Sequence, residues 1–234
     1  MTASAQNRSS AVMQQRSKEL DSLDDFPTPP WGTRALLKLL RDLGLISADM
    51  TVREPAANRG YMARTLAEDF HLVLASDIND YGAGYPIEDF LMPFDLSQVN
   101  WTITNPPFKL ADQFIARALA TSLNGVAMLV RSAFIEGAER YDTLFKANAP
   151  HLILQFTERL VMHQSKVPNP NVAVPVVNKK TGEIEMKKPS SATAYCWCIW
   201  LPDRPPVSHS QLHWTGRCRA ALERPGDYPK EVAA

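Results

Sequence analysis

Asn105-Pro106-Pro107-Phe108 follows directly on the apolar run Trp101-Thr102-Ile103-Thr104. A short run rich in β-branched and aromatic residues reads as a buried strand. Two successive prolines end it by removing backbone donors and restricting the residue before each ring. With no N-H on Pro106 or Pro107, nearby carbonyls are left free to point out of the strand's carboxyl end. Two acceptors then converge, the Asn105 side-chain oxygen and the Pro106 carbonyl. An aromatic amine is a poor nucleophile because its lone pair is delocalised into the ring. Accepting both of its protons favours a pyramidal nitrogen with that pair localised. Phe108 adds a flat apolar face on which an extruded base could stack, an interaction worth about 1–3 kcal/mol. Asn, Pro and Pro are also ordinary strand-ending residues, so the tetrapeptide is weighed with the elements around it.

Those elements alternate. Residues 32–43 place Leu36, Leu37, Leu40 and Leu43 at helical spacing, and Gly44 closes the pattern. Thr51–Glu54 reads as a strand, 61–70 as a helix, and 71–76 as a second strand ending at Asp77. After the Asn-Pro-Pro-Phe strand come a helix at 110–122, a strand at 126–130, a helix at 136–147 and a strand at 152–156. Such alternation implies an α/β fold with a parallel sheet covered on both faces. In sheets of this kind ligands sit beyond the carboxyl ends of the strands.

The less ordinary residues fall at those ends. Glu54-Pro55-Ala56-Ala57-Asn58-Arg59-Gly60 links the first strand to the first following helix, where an open backbone can face a polar ligand. The loop holds one glycine, and Asn58 is the next best residue for a positive φ. Asp77, at the tip of the second strand, suits the two hydroxyls of a ribose, although a turn or helix-cap aspartate has the same appearance. Asp89-Phe90, beyond the glycine-containing loop 81–85, offers an acceptor beside an apolar ring.

The chain has 234 residues, 45% hydrophobic and 21% charged, enough for one well-buried domain with modest insertions. Its formal net charge is zero, so attraction to nucleic acid must come from a local patch. Cys196, Cys198 and Cys218 read as reduced thiols of a cytoplasmic protein. Their spacing is not that of a zinc site, and no metal is expected. No apolar stretch is long enough to cross a bilayer, and no membrane partner is expected.

The ordered set DDFPTPPW (24–31), EPAANRG (54–60), SDIND (76–80), EDF (88–90) and NPPF (105–108) resembles the S-adenosylmethionine-dependent DNA adenine-N6 methyltransferases, in particular the small phage and prophage type. The resemblance spans roughly 24–202, in the gamma order of motifs. It implies a Rossmann-like, seven-stranded, mostly parallel sheet with an antiparallel last strand, here 192–201. It also implies S-adenosylmethionine as cofactor and double-stranded DNA as partner, with the target adenine flipped out of the duplex. On this pattern Phe26, Thr28 and Pro29 lie against the methionine end of the cofactor. Glu54, Asn58 and Gly60 form the cofactor loop, with Asn58 standing where the pattern usually has its first glycine. Asp77 holds the ribose, and Asp89 and Phe90 hold the cofactor adenine. Asn105, Pro106, Pro107 and Phe108 bind the base. Transfer would be direct, with no covalent enzyme intermediate.

Sequence recognition falls to the insertion at 163–191. Two short strands around Thr181-Gly182 carry Lys179, Lys180, Lys187 and Lys188, with Lys166 ahead of them. They could contact phosphates, or simply protect a solvated hairpin edge. Arg131 could face substrate or pair with a carboxylate. Trp197 and Trp200 read as core. Residues 1–22 read as disordered or loosely helical, 23–202 as the domain, and 203–234 as a surface extension with a partly disordered end; oligomeric state is not legible. Other acceptors that fit Asn-Pro-Pro-aromatic are cytosine N4, an RNA base and a protein glutamine. The glycine-poor cofactor loop leaves room for an inactive nucleic-acid-binding relative.

Overall fold

The structure is a computed structural model that describes residues 24–178 and 181–229. The expectation for 1–22, and Lys179 and Lys180, fall outside the described residues.

A run of prolines opens the domain. Pro30 stands at the first helical position of α1 (Pro30–Asp42), where its missing N-H costs nothing and its fixed φ suits the helix. Leu36, Leu37 and Leu40 are fully buried on one face, but Leu43, the helix C-cap, is exposed. Then follow β1 (Thr51–Glu54), α2 (Tyr61–Leu66), β2 (Leu72–Ala75), β3 (Val99–Thr104), α3 (Ala111–Thr121) and β4 (Ser122–Arg131). β5 (Leu152–Gln155), the hairpin β6 (Val174–Val177) with β7 (Ile184–Lys187), β8 (Tyr195–Trp200) and β9 (Gln211–Trp214) complete the strands, and a short helix α4 (Arg219–Leu222) comes last.

Seven strands form one sheet in the order β2-β1-β3-β4-β8-β5-β9. All neighbours are parallel except the pairs that β8 makes with β4 and β5. Side chains alternate between the two faces as the pleat requires. Ala127 and Leu129 join Trp197 and Ile199 in the layer packed under α1 and α2. Val126, Met128 and Val130 join Cys196, Cys198 and Trp200 in the layer packed under α3. Trp197 and Trp200 are thus core, Trp197 donating its indole N-H to the Gly32 carbonyl.

Three expectations change. The antiparallel strand is present but is not the last. β9, drawn from the stretch read as a surface extension, follows it and pairs in parallel with β5 at the sheet edge. The helix expected at 136–147 is reduced to one turn at Ala138–Arg140 and a wide turn at Tyr141–Phe145. Leu144 is the single buried residue in those two turns, so little apolar burial is available to support a full helix. The helix expected at 61–70 ends at Leu66, and Phe70 reaches the core from the turns that follow.

The C-terminal stretch is tied in by charge as well. Arg34 on α1 is buried and forks to Glu68 and Asp227, at 2.8 and 2.7 Å, while also donating to the Leu222 carbonyl. A lysine cannot serve three acceptors in that planar geometry. Arg34→Lys should therefore lower unfolding stability by about 1–2 kcal/mol, read from urea midpoints, through loss of the extra hydrogen bonds. An unchanged midpoint would mean that the extra Arg34 hydrogen bonds contribute nothing to the fold.

Candidate active site

A cleft of about 970 Å³, counted out to its open mouth, lies beyond the carboxyl ends of β1, β2 and β3. Nine of the thirteen residues proposed for catalysis and cofactor binding line it: Phe26, Thr28, Glu54, Asn58, Asp77, Asp89, Phe90, Asn105 and Pro107. Pro29, Gly60, Pro106 and Phe108 are not among the lining residues. Pro29 is the N-cap of α1 and Gly60 the N-cap of α2, so both act on the backbone. Gly60 has φ +76°, and a Cβ there would fall 2.5 Å from the Tyr85 hydroxyl. The conformation favours glycine, whereas the Tyr85 and Arg64 side-chain ends could shift to make room.

One wall is the loop after β1. Asn58 adopts φ +50°, the left-handed conformation that asparagine tolerates better than most residues. Its amide N-H donates to Asp77 Oδ2 and that of Asn79 to Oδ1, both at 2.9 Å. Each Asp77 oxygen retains acceptor capacity. Burial pushes the Asp77 carboxyl up, partly offset by those backbone donors. Asp89 Oδ1 likewise accepts from the Leu91 amide, with no hydrogen bond among the described residues on Oδ2, and Phe90 packs on Phe114 with ring centroids 5.1 Å apart.

Glu54 sits at the floor, fully buried. Its Oε1 accepts from the Thr104 hydroxyl and the Ala56 amide, while Oε2 has no partner among the described residues. Burial pushes its carboxyl up to about 8 against those two donors, with the Asp77 charge adding to the rise. The folded protein thus keeps a proton that the unfolded chain gives up near its ordinary value. Stability from this group is complete below about pH 4.5 and is lost as pH rises through about 8. Glu54→Gln should flatten that decline, which is at most about 1.4 kcal/mol per pH unit. Urea midpoints of both proteins at pH 5.5 and pH 8 test this; parallel pH slopes would refute it.

The opposite wall is the segment 24–28, whose acidic pair sequence reasoning left without a role. Asp25 accepts from Asn58 Nδ2 at 2.8 Å and from Arg59 at 2.5 and 3.0 Å. Burial would raise the Asp25 carboxyl, but the Arg59 and Asn58 donors outweigh it and hold it low. Asp24 Oδ2 accepts from the Phe108 amide at 2.9 Å. The Phe26 carbonyl accepts from Asn105 Nδ2 at 2.9 Å. One short strap thereby fixes both the loop after β1 and the Asn-Pro-Pro-Phe turn. The available signal was the acidic doublet itself, with Arg59 carrying the matching charge in a separate loop.

At the rim, only an NH2 group can face the Phe26 carbonyl, which settles the Asn105 amide orientation. Its Oδ1 is buried and has no donor among the described residues. No hydrogen bond among the described residues ends on the Pro106 carbonyl, whereas that of Pro107 accepts from the Leu110 amide. Phe108 differs from expectation, because the Arg131 guanidinium lies over its ring at 4.1 Å.

The hairpin at 163–191 forms its own two-stranded sheet. Its root is tied to the strap, Ser165 N-H donating to the Asp25 carbonyl at 2.8 Å. Lys166 and Lys188 are exposed, Lys187 pairs with Glu185 at 2.6 Å, and none of the three lines the cleft. Among the described residues no cluster of His, Cys, Asp and Glu is placed to hold a metal, and no helix is long and apolar enough to cross a membrane.

No family model matches the chain, and no curated protein does. Solved structures do. One from Listeria monocytogenes, provisionally described as a class I S-adenosylmethionine-dependent methyltransferase, aligns over 89% of this chain and 71% of its own, with 13% identity and TM-score 0.57. The two share a fold. Weaker likenesses are to a Pyrococcus horikoshii protein provisionally described as an RNA methyltransferase (18% identity, TM-score 0.47, 81% of this chain and 97% of that one). Another is to the modification subunit of a presumed type I restriction enzyme from Vibrio vulnificus (16%, TM-score 0.47, 83% and 48%).

Proposed function

We propose that the protein transfers a methyl group from S-adenosylmethionine to the N6 amine of an adenine flipped out of duplex DNA. The observation that carries this reading is the Asn105 amide. Its NH2 is held by the Phe26 carbonyl, leaving a buried Oδ1 without a donor among the described residues, and no hydrogen bond among them ends on the Pro106 carbonyl. A pair of acceptors with nothing to accept suits a group bearing two N-H bonds, which an exocyclic amine supplies.

The rest of the cleft fits the cofactor. Asp77 would take the ribose hydroxyls, with Asp89 and Phe90 on the adenine. The unpartnered Glu54 Oε2 is buried, and because burial keeps the carboxyl protonated up to about pH 8 it offers an O-H donor to a polar group of the ligand. When bound, S-adenosylmethionine supplies an electrophilic methyl on a sulfonium. The two rim acceptors assist most as positive charge develops on the amine, and the strap holds the two sites at a fixed separation. Duplex DNA as the partner is supported by the motif order 24–31 to 105–108 and by the lysines of the hairpin rooted on the strap.

Incubation with methyl-labelled cofactor and duplexes of varied sequence should place the label on adenine N6 after digestion to nucleosides. Sequencing modified bases in DNA from expressing cells would then give the recognition site. Label on cytosine, RNA or glutamine would move the acceptor; no label on any of them would end the proposal.

A further inference from the structure

Arg131 ends β4 at the same rim and stands apart from the other arginines near the cleft. Arg59 is neutralised by Asp25, whereas Arg131 takes part in none of the ion pairs among the described residues. Its Nε is buried without an acceptor. Its guanidinium carbon sits 4.1 Å from the Phe108 ring centre, close to the spacing of stacked planar groups. Phe108 also touches Phe26 and Tyr195, with centroids 5.9 and 6.4 Å away, both tilted against it. Tyr195 is buried, and both the Arg131 charge and a side-chain hydrogen bond with Arg131 oppose the upward push that burial gives its hydroxyl, so the guanidinium has one neutral partner there. Phe108 is thus walled by aromatic rings and capped by a cation. A half-buried guanidinium with no carboxylate is costly unless something planar or anionic completes its surroundings.

We propose that Arg131 is a base-clamping residue: its guanidinium holds the stacking face of Phe108 until the target base arrives, then yields that face and covers the base from the other side. Phe108 and Arg131 become the two plates of a slot whose edge is the Asn105 and Pro106 acceptor pair. Arginine suits the task because its planar, weakly hydrated group stacks on rings, as a lysine ammonium does not.

This inference rests on the proposed base-methylating function, and the experiment keeps the two apart. Affinities of the parent, Arg131→Lys and Arg131→Gln are measured for a methylatable target duplex and for the same duplex with an abasic position in place of the target base. The clamp predicts that Arg131→Lys loses roughly tenfold in affinity for the intact duplex and little for the abasic one, in keeping with the usual worth of one stacked base. Arg131→Gln, which keeps a planar group, should recover part of the loss. An equal loss on both duplexes, with a shallower salt dependence in Arg131→Gln, would identify a phosphate contact and overturn the clamp. So would unchanged affinity for both, or an equal loss accompanied by a lower Tm. If the parent methylates no DNA, the functional reading fails and the clamp fails with it; if the parent methylates and the variants match it, the clamp alone fails.

Discussion

Asn105→Ala is expected to lower kcat about 10²- to 10³-fold, the usual loss when one preorganised group at the reacting centre is removed. On the proposed reading the side chain has two separable duties. Its Nδ2 bonds the Phe26 carbonyl at 2.9 Å, and its Oδ1 is the buried acceptor without a donor. Losing the first costs about 1 kcal/mol of stability and loosens one tie of the strap. Losing the second removes half of the amine grip, which strengthens as the nitrogen becomes cationic. Cofactor affinity should stay near that of the parent, because Asp24 still holds Phe108 and Asp25 still holds Asn58 and Arg59. Asn105→Asp refines the test. It keeps an acceptor but sets a carboxylate oxygen against the Phe26 carbonyl, so it should lose stability as well as rate. Single-turnover rates, cofactor titration and Tm measured together decide the matter. If Asn105→Ala lost cofactor affinity and Tm in parallel, the amide would be a structural tie.

Most of this site was legible before any coordinates because its residues sit where a strand stops. Sequence position alone puts Glu54, Asp77 and Asn105 at the carboxyl ends of β1, β2 and β3, and parallel pairing of those strands brings the ends together. The positive φ of Asn58 was legible for a local reason: few side chains accept that conformation, and the loop needed one. Long-range pairings are different. Asp25 with Arg59 is 34 residues apart and Asn105 with Phe26 is 79 apart, and neither leaves a periodicity to read. The fold follows the same division. Strands that are continuous apolar runs, such as Tyr195–Trp200, were placed to within a few residues. β9 was missed because Gln211–Trp214 is polar and mostly exposed, and its place is set by pairing with β5. The cap on Phe108 was equally hidden, since Arg131 reaches it only through the register of β4 beside β8.

Asp77→Ala should weaken cofactor binding about 10- to 100-fold, since hydrogen bonds to a charged carboxylate contribute about 1.5–3 kcal/mol and tenfold in Kd is 1.4 kcal/mol. The structure supplies a competing explanation for the same loss. Asp77 already accepts the Asn58 and Asn79 amides, so removing it also frees the loop that Asn58 shapes. A ribose contact and a loop contact are distinguishable through the ligand. S-adenosylhomocysteine and its 2′-deoxy analogue differ by one hydroxyl. If Asp77 grips that hydroxyl, the deoxy analogue binds the parent roughly tenfold more weakly, and the two bind Asp77→Ala alike. If Asp77 acts only by holding the loop, the deoxy penalty has the same size in both proteins. A second consequence follows from burial. The Asp77 carboxyl lies above the ordinary aspartate range, and its charged form is the better acceptor. Affinity of the parent should therefore decline as pH falls toward that raised value, and Asp77→Ala should lack this decline. A parent whose affinity stays flat on acidification, together with a deoxy penalty that survives the substitution, would take Asp77 out of the ribose role and leave it as the tie between two loops.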